Sequence, residues 1–234
     1  MDFIEDYDNS GYVGANGGPV QSADELSCTF DGPCCWSNVQ PPQDSLEWDK
    51  GGGEPEPSIF EENFRTSQGP EPGSSYLFVQ GKTLPEAEPA DARFVSCSIP
   101  CADVPVQVTL RHWSTNGVVL QICSEDANGP QDSQRALLNC QNLPQTSSPG
   151  PTSVTLPPGN DFRVVILADN LNAEQGGMAI IDDISVEYPP CDEGENNDEN
   201  GNESENGGEG EGGGGGGTDG FDPDCDFVLC SFER

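Results

Sequence analysis

Short apolar runs separated by clusters of Pro, Gly, Asn and Asp dominate residues 25–191. The runs 76–79 (YLFV), 93–99 (RFVSCSI), 104–113 (VPVQVTLRHW), 117–123 (GVVLQIC), 153–156 (SVTL), 162–168 (FRVVILA) and 178–188 (MAIIDDISVEY) are rich in Val, Ile, Phe, Thr and Tyr. Bounded by breakers, they read as strands. Val106, Val108 and Leu110 alternate with Gln107, Thr109 and Arg111, which predicts a strand with one wet face. The stretch 164–167 is apolar on both faces and suits a central strand. No window of a dozen residues carries a helical period uninterrupted by Gly or Pro. Seven or more short strands joined by turn-rich loops predict two packed antiparallel sheets, an all-β, jelly-roll-like β-sandwich. About 165 residues can bury roughly 70% of the extended-chain surface, so this sandwich can hold a real core.

The flanks have a different texture. Residues 1–24 are acidic and Gly-rich, which predicts a flexible tail with too little apolar surface to order itself. Residues 192–222 form an acidic, Gly-rich stretch, expected to be a disordered, self-repelling linker. It contains Asn202-Glu203-Ser204, an N-glycosylation acceptor triplet with Asn202 as the acceptor. Residues 223–234 turn apolar and Cys-bearing again, as structured sequence does.

Charge narrows the partners. The chain carries 42 acidic and 8 basic residues, a formal charge of −34. Nucleic-acid binding needs Lys and Arg to displace counterions, so it is excluded as a function class. Docking on anionic lipid is disfavoured for the same reason. Calcium and basic proteins are the partners such a charge attracts. Ten cysteines and a single histidine, His112, do not make a zinc pattern. They read as disulfides in an oxidising compartment, hence an extracellular protein, secreted or at the cell surface. The start, Met-Asp-Phe-Ile-Glu-Asp-Tyr-Asp, has neither the basic nor the apolar region of a signal peptide, which is therefore expected to lie outside this chain. No run of about 18 apolar residues predicts membrane insertion.

Local chemistry is sparse. Cys28 and Cys34 bracket a Gly-Pro turn, so their α-carbons can approach the about 5.5 Å a bridge needs. Cys123 and Cys140 flank a turn-rich stretch and pair as a loop staple. Trp36 reads as a core plug. Asp182 and Asp183 point to opposite faces of a strand, so one faces inward only with a hydrogen bond or a metal. His112 shares a face with Leu110 and reads as a structural histidine. A Ser or Cys nucleophile would find no other imidazole as its base. Carboxylates are abundant, but no pair stands out as a glycosidase dyad.

The segment Cys28-Thr29-Phe30-Asp31-Gly32-Pro33-Cys34-Cys35-Trp36 resembles the opening of a MAM domain. Asp44-Ser45-Leu46-Glu47-Trp48, Tyr76-Leu77-Phe78-Val79 and Ala92-Arg93-Phe94-Val95-Ser96 resemble its next motifs. Phe162-Arg163-Val164-Val165-Ile166 and Gly176-Gly177-Met178-Ala179-Ile180-Ile181-Asp182-Asp183-Ile184-Ser185 resemble its closing pair, with Cys191 as the terminal cysteine. The resemblance covers residues 27–191 and implies a Cys101–Cys191 bridge. Cys35–Cys97 then remains as the last pair inside the domain. The chain departs from the family in having more than its usual four cysteines, with Cys35 standing where a small residue is usual. Cys230-Ser231-Phe232-Glu233 repeats the opening pattern, so residues 223–234 are expected to begin a second such domain. Cys225 and Cys230 bridging each other is the other reading.

The resemblance implies a non-catalytic adhesion module of a multidomain secreted or membrane-anchored glycoprotein, with a protein partner, homophilic pairing included. It also makes the opening and closing motifs neighbours, which singles out Asp31, Asp44, Glu47 and Asp183 as candidate ligands for a structural calcium. Calcium takes roughly six to eight oxygens, and no other cofactor is implied. The alternative is a carbohydrate-binding β-sandwich, in which Tyr76, Trp113 and Phe162 supply at least two exposed rings to one cleft; burial of all three would speak against it. A hydrolase with paired carboxylates is the third reading, and it needs a deep cleft.

Overall fold

Period-two burial sorts the strands into two sheets. The computed structural model describes residues 3–12, 18–39, 44–81, 90–129, 135–145, 150–172 and 176–191. Among these, the first sheet runs β1 (Phe3–Asp6), β3 (Asp49–Gly52), β4 (Ser75–Gln80), β12 (Met178–Glu187), β7 (Val106–Ser114), β10 (Thr152–Leu156). The second runs β2 (Trp36–Asn38), β5 (Ala92–Ser96), β11 (Gly159–Asp169), β8 (Val119–Asp126), β9 (Leu138–Asn142), and β6 (Ile99–Ala102) also pairs with β11. All these pairings are antiparallel. The chain is therefore an all-β, two-sheet sandwich, as the spacing of its apolar runs predicts.

The core lies between the sheets. On β7, Val106, Val108 and Leu110 are fully buried while Gln107 is exposed. The central strand β11 sends Val164, Ile166 and Ala168 into the main core, and Val165 packs on the opposite face with Val39, Val95 and Cys123. Trp36 is 1% exposed, stacks on Phe94 at 5.5 Å between centroids, and donates its indole N–H to the Leu26 carbonyl at 2.8 Å. A buried indole without that acceptor would lose its bond to water.

Four disulfides staple the described residues: Cys28–Cys34, Cys35–Cys97, Cys101–Cys191 and Cys123–Cys140. They join, in order, the two ends of a turn, β2 to the end of β5, β6 to the segment after β12, and the neighbours β8 and β9. Bridges of this number persist in an oxidising compartment.

Two features depart from the sequence reading. One is a helix, α1 (Pro57–Phe64), where no helical period is long enough to register. Pro57 occupies its first turn, where a missing N–H is harmless and a fixed φ helps. Phe60 and Phe64 sit four residues apart on one face and pack over Tyr76, Phe78, Trp113 and Ile180. Arg65 ends the helix in the left-handed region at φ 58°.

The other is the N-terminal stretch expected to be a flexible tail. Residues 3–6 form β1 and pair with β3, Phe3 opposite Gly52 and Asp6 opposite Asp49. Tyr7 meets Phe94 edge-on at 5.1 Å and donates its hydroxyl to the Trp36 carbonyl at 3.3 Å. Val20 is buried, and Glu25 accepts the backbone N–H groups of Gln21 and Ser22 at the start of a 3₁₀ turn, Ala23–Leu26. A few aromatic anchors and an unfilled sheet edge order this segment, though its average composition is polar. Residues 192–234, including Asn202, Cys225, Cys230 and the expected linker and second-domain start, lie outside the described residues. Among the described residues, no helix is long and apolar enough to cross a membrane.

Candidate ligand-binding cleft

Because Val164 and Ile166 face the core, alternation turns Arg163 to the outer face of the second sheet. Ser37 on β2 lies on that face too, opposite Val95. Ser96 holds the β5 end of the site: its hydroxyl donates to the Cys97 carbonyl at 2.7 Å and accepts the Val164 N–H at 2.9 Å. Cys97 N–H donates to the Cys35 carbonyl at 2.7 Å, extending the ladder beside the Cys35–Cys97 bridge.

The opposite wall is the turn 9–12. Asp8 accepts the backbone N–H and the hydroxyl of Ser10, both at 2.8 Å, an Asx-type local turn. Tyr12 N–H donates to the Asn9 carbonyl at 2.9 Å, and the Asn9 amide donates to the Trp36 carbonyl at 2.6 Å. Between wall and sheet lies an open cleft of about 410 Å³, lined by Asn9, Ser10, Tyr12, Trp36, Ser37, Ser96, Arg163 and the disulfide. This is within the range of small-ligand sites, roughly 300–1,000 Å³. The lining offers hydroxyls, an amide, two aromatic residues, of which Trp36 is 1% exposed, and one cation.

That cation sits in an unbalanced network. Arg135 Nη1 lies 3.2 Å from Glu125 Oε1, and Arg163 Nη1 lies 3.9 Å from the same oxygen. Glu125 is 4% exposed. Arg163 Nε is buried with no hydrogen-bond partner. Burial, and then Arg135, push the Arg163 pKa down, while Glu125 opposes them. Period-two reading could place Arg163 outward, but nothing in the sequence joins it to Tyr12, which falls in the supposed tail.

The four expected calcium ligands come to two different places. Asp44 and Glu47 follow β2, and Leu46 bridges to Ala92 on β5 in the second sheet. Asp44 accepts the Arg93 N–H at 2.9 Å, and its carboxyl is pushed up to about 7 by burial first, with Asp91 and Glu47 adding to the rise. Asp183 belongs to β12 in the first sheet, where it pairs with Arg111 at 3.5 Å, and Asp31 accepts the Ser75 N–H at 3.1 Å. Between them stands Asp182, which sequence reasoning left out of the ligand set. It is 1% exposed and is pushed up to about 7, first by burial and then by Asp183, with Asp31 adding a smaller push and Arg111 opposing. Its carboxylate accepts the Asp183 N–H at 2.9 Å. Cys28 and Ile184 exchange two backbone hydrogen bonds here, at a register shift in β12 with Asp183 at φ 50°. Among the described residues, the one trio of metal-capable side chains within mutual reach is Cys101, Asp103 and Cys191. Two of its three members are spent on a disulfide.

The remaining candidates are interior. His112 is 1% exposed, with Nε2 at 2.9 Å from the Pro144 carbonyl oxygen, and burial lowers its pKa. Tyr76, Trp113 and Phe162 are at most 8% exposed, so the aromatic platform expected of them does not form. Tyr76 and Trp113 lie beneath α1, and Phe162 fills the main core.

No protein-family model and no curated protein sequence matches this chain. Similar solved structures include TmCBM61 in complex with β-1,4-galactotriose, at TM-score 0.39 and 9% identity over 66% of this chain and 88% of that one. Others are the K1 cleaved adhesin domain of Lys-gingipain from Porphyromonas gingivalis W83 (TM-score 0.39, 12% identity, 72% and 96% covered) and the CBM22-1 xylan-binding domain of Paenibacillus barcinonensis Xyn10C (0.40, 12%, 71% and 94%). At these scores nothing about ligand or activity transfers.

Proposed function

We propose that this chain is an extracellular, non-catalytic recognition module that holds a glycan in the cleft between the turn 9–12 and the outer face of the second sheet. The observation that carries the reading is the cleft itself: a concave, polar site of about 410 Å³ built on two rigid strands and a disulfide. Hydroxyls and an amide around one tyrosine suit a ligand dense in hydroxyl groups. A protein partner, as the MAM-like motifs imply, would more naturally use a broad and flatter patch. Four disulfides support the extracellular setting.

The test is binding of the labelled, oxidised full chain to cells before and after mild periodate treatment, which cleaves the vicinal diols of surface glycans. Binding should fall after treatment. Binding that survives periodate and is lost on surface proteolysis would overturn the glycan reading in favour of a protein partner.

A further inference from the structure

We infer that Arg163 makes this cleft selective for a sugar acid, a saccharide carrying a carboxylate, over its neutral counterpart. The inference rests on the glycan reading above and deepens it.

The chain has 42 acidic residues and 8 basic ones, yet the described lining of the cleft contains one cation and no acidic side chain. The other described cations with printed ion pairs are closer to their partners: Lys50 to Glu5 at 3.6 Å, Arg93 to Asp91 at 3.5 Å, Arg111 to Glu71 at 3.4 Å and to Asp183 at 3.5 Å. Arg163 has only the far side of a carboxylate oxygen that Arg135 already approaches more closely. Arg163 thus takes the longer of the two contacts to the Glu125 oxygen. The side chain of Arg163 lines the cleft and is 24% exposed, while its Nε is buried. A guanidinium fixed in that way presents a planar fork to a carboxylate, the geometry at which Arg excels. Two acids stand at the wall: Asp8 is engaged with Ser10, and Glu25 is engaged with the Tyr12 hydroxyl and with the Gln21 and Ser22 N–H groups. Charges more than about 8 Å from the guanidinium are largely screened at physiological salt.

The neutral lining supplies the rest of the recognition. Tyr12 offers a ring for a sugar face, and Asn9, Ser10 and Ser37 offer groups for ring hydroxyls. A neutral sugar would leave the Arg163 fork without an anionic partner. A sugar acid would complete it, and hydrogen bonds to a charged group contribute more than neutral ones.

The experiment compares a glucuronate-terminated oligosaccharide with its methyl ester, using the oxidised full chain and titration calorimetry at low and physiological salt. The acid should bind about tenfold or more tightly than the ester. The preference should shrink as salt rises, and vanish in Arg163→Gln. Arg163→Lys should keep part of the preference, because it retains charge and loses the fork, and it decides the matter if Arg163→Gln misfolds. Equal binding of acid and ester overturns the inference and leaves the glycan reading intact. An acid preference unchanged in Arg163→Gln overturns it too. Failure of both sugars to bind, together with periodate-insensitive cell binding, overturns the glycan reading itself.

Discussion

Asp182 offers a direct link between burial and pH. The side chain is 1% exposed, and its pKa stands near 7 against an ordinary 3.8. The native state therefore binds a proton between about pH 4 and pH 7 that the unfolded chain releases, and stability must fall as pH rises through that window. At about 1.36 kcal/mol per unit, a shift of this size corresponds to roughly 4 kcal/mol, fully expressed above pH 7. Asp44 is displaced in the same direction and adds to the trend. The perturbation that isolates Asp182 is Asp182→Asn, which keeps an oxygen for the Asp183 N–H and cannot ionise. Urea unfolding with disulfides intact, in EDTA so that stray divalent cations do not neutralise the carboxylates, gives the stability at pH 4.5 and pH 8 as two ~3.5-unit-separated points. The variant should match the wild type within about 1 kcal/mol at the lower pH and exceed it by about 2–4 kcal/mol at the higher. A variant that is less stable at pH 8, or that shows the wild-type pH slope, would refute the assignment of Asp182 as a buried carboxyl held protonated.

Three further outcomes follow from the packing. Trp36→Ala should cost about 3–5 kcal/mol in urea unfolding, because it empties a fully buried site and strands the Leu26 carbonyl. Replacing Cys101 and Cys191 together by Ala releases a bridge spanning 90 residues, and should lower stability by about 2–5 kcal/mol in the same assay. Gly81→Ala should cost about 1–3 kcal/mol, because a Cβ there meets the Leu171 carbonyl. Gly32→Ala, where a Cβ meets nothing within 4 Å, is the matched control and should change melting little.

The strands legible in the sequence are those that contribute to the core. β7 carries apolar residues at a period of two because one face is wet, while β11 and β12 carry unbroken apolar runs because both faces are covered. β3 reads Asp-Lys-Gly-Gly and β9 reads Leu-Asn-Cys-Gln-Asn, with every residue of β9 exposed, so neither carries an apolar signal. Their neighbours in the sheets hold them by backbone hydrogen bonds, which leave no mark on residue type. The eight residues of α1 are too few to show a period. The cleft was hidden for a related reason. Its floor comes from alternation on β11 and its wall from a polar turn near the N-terminus, and only the folded sheet brings the two together. Of the expected calcium ligands, Asp44 and Glu47 lie near each other while Asp31 and Asp183 both lie near Asp182, a grouping that motif order does not reveal. That one of Asp182 and Asp183 must face inward was legible, but alternation alone does not say that it is Asp182.

The central claim is that recognition happens in the cleft beside Cys35–Cys97. Ser37 stands on its floor, with its side chain on the outer face of β2. The most direct measurement is binding of the oxidised full chain to an array of immobilised glycans, comparing wild type with Ser37→Trp, which fills the cleft from an outward-facing strand position. The account predicts that the wild type binds a subset of the glycans and that Ser37→Trp, with unchanged melting, loses them. Glycan binding that persists in Ser37→Trp would contradict it.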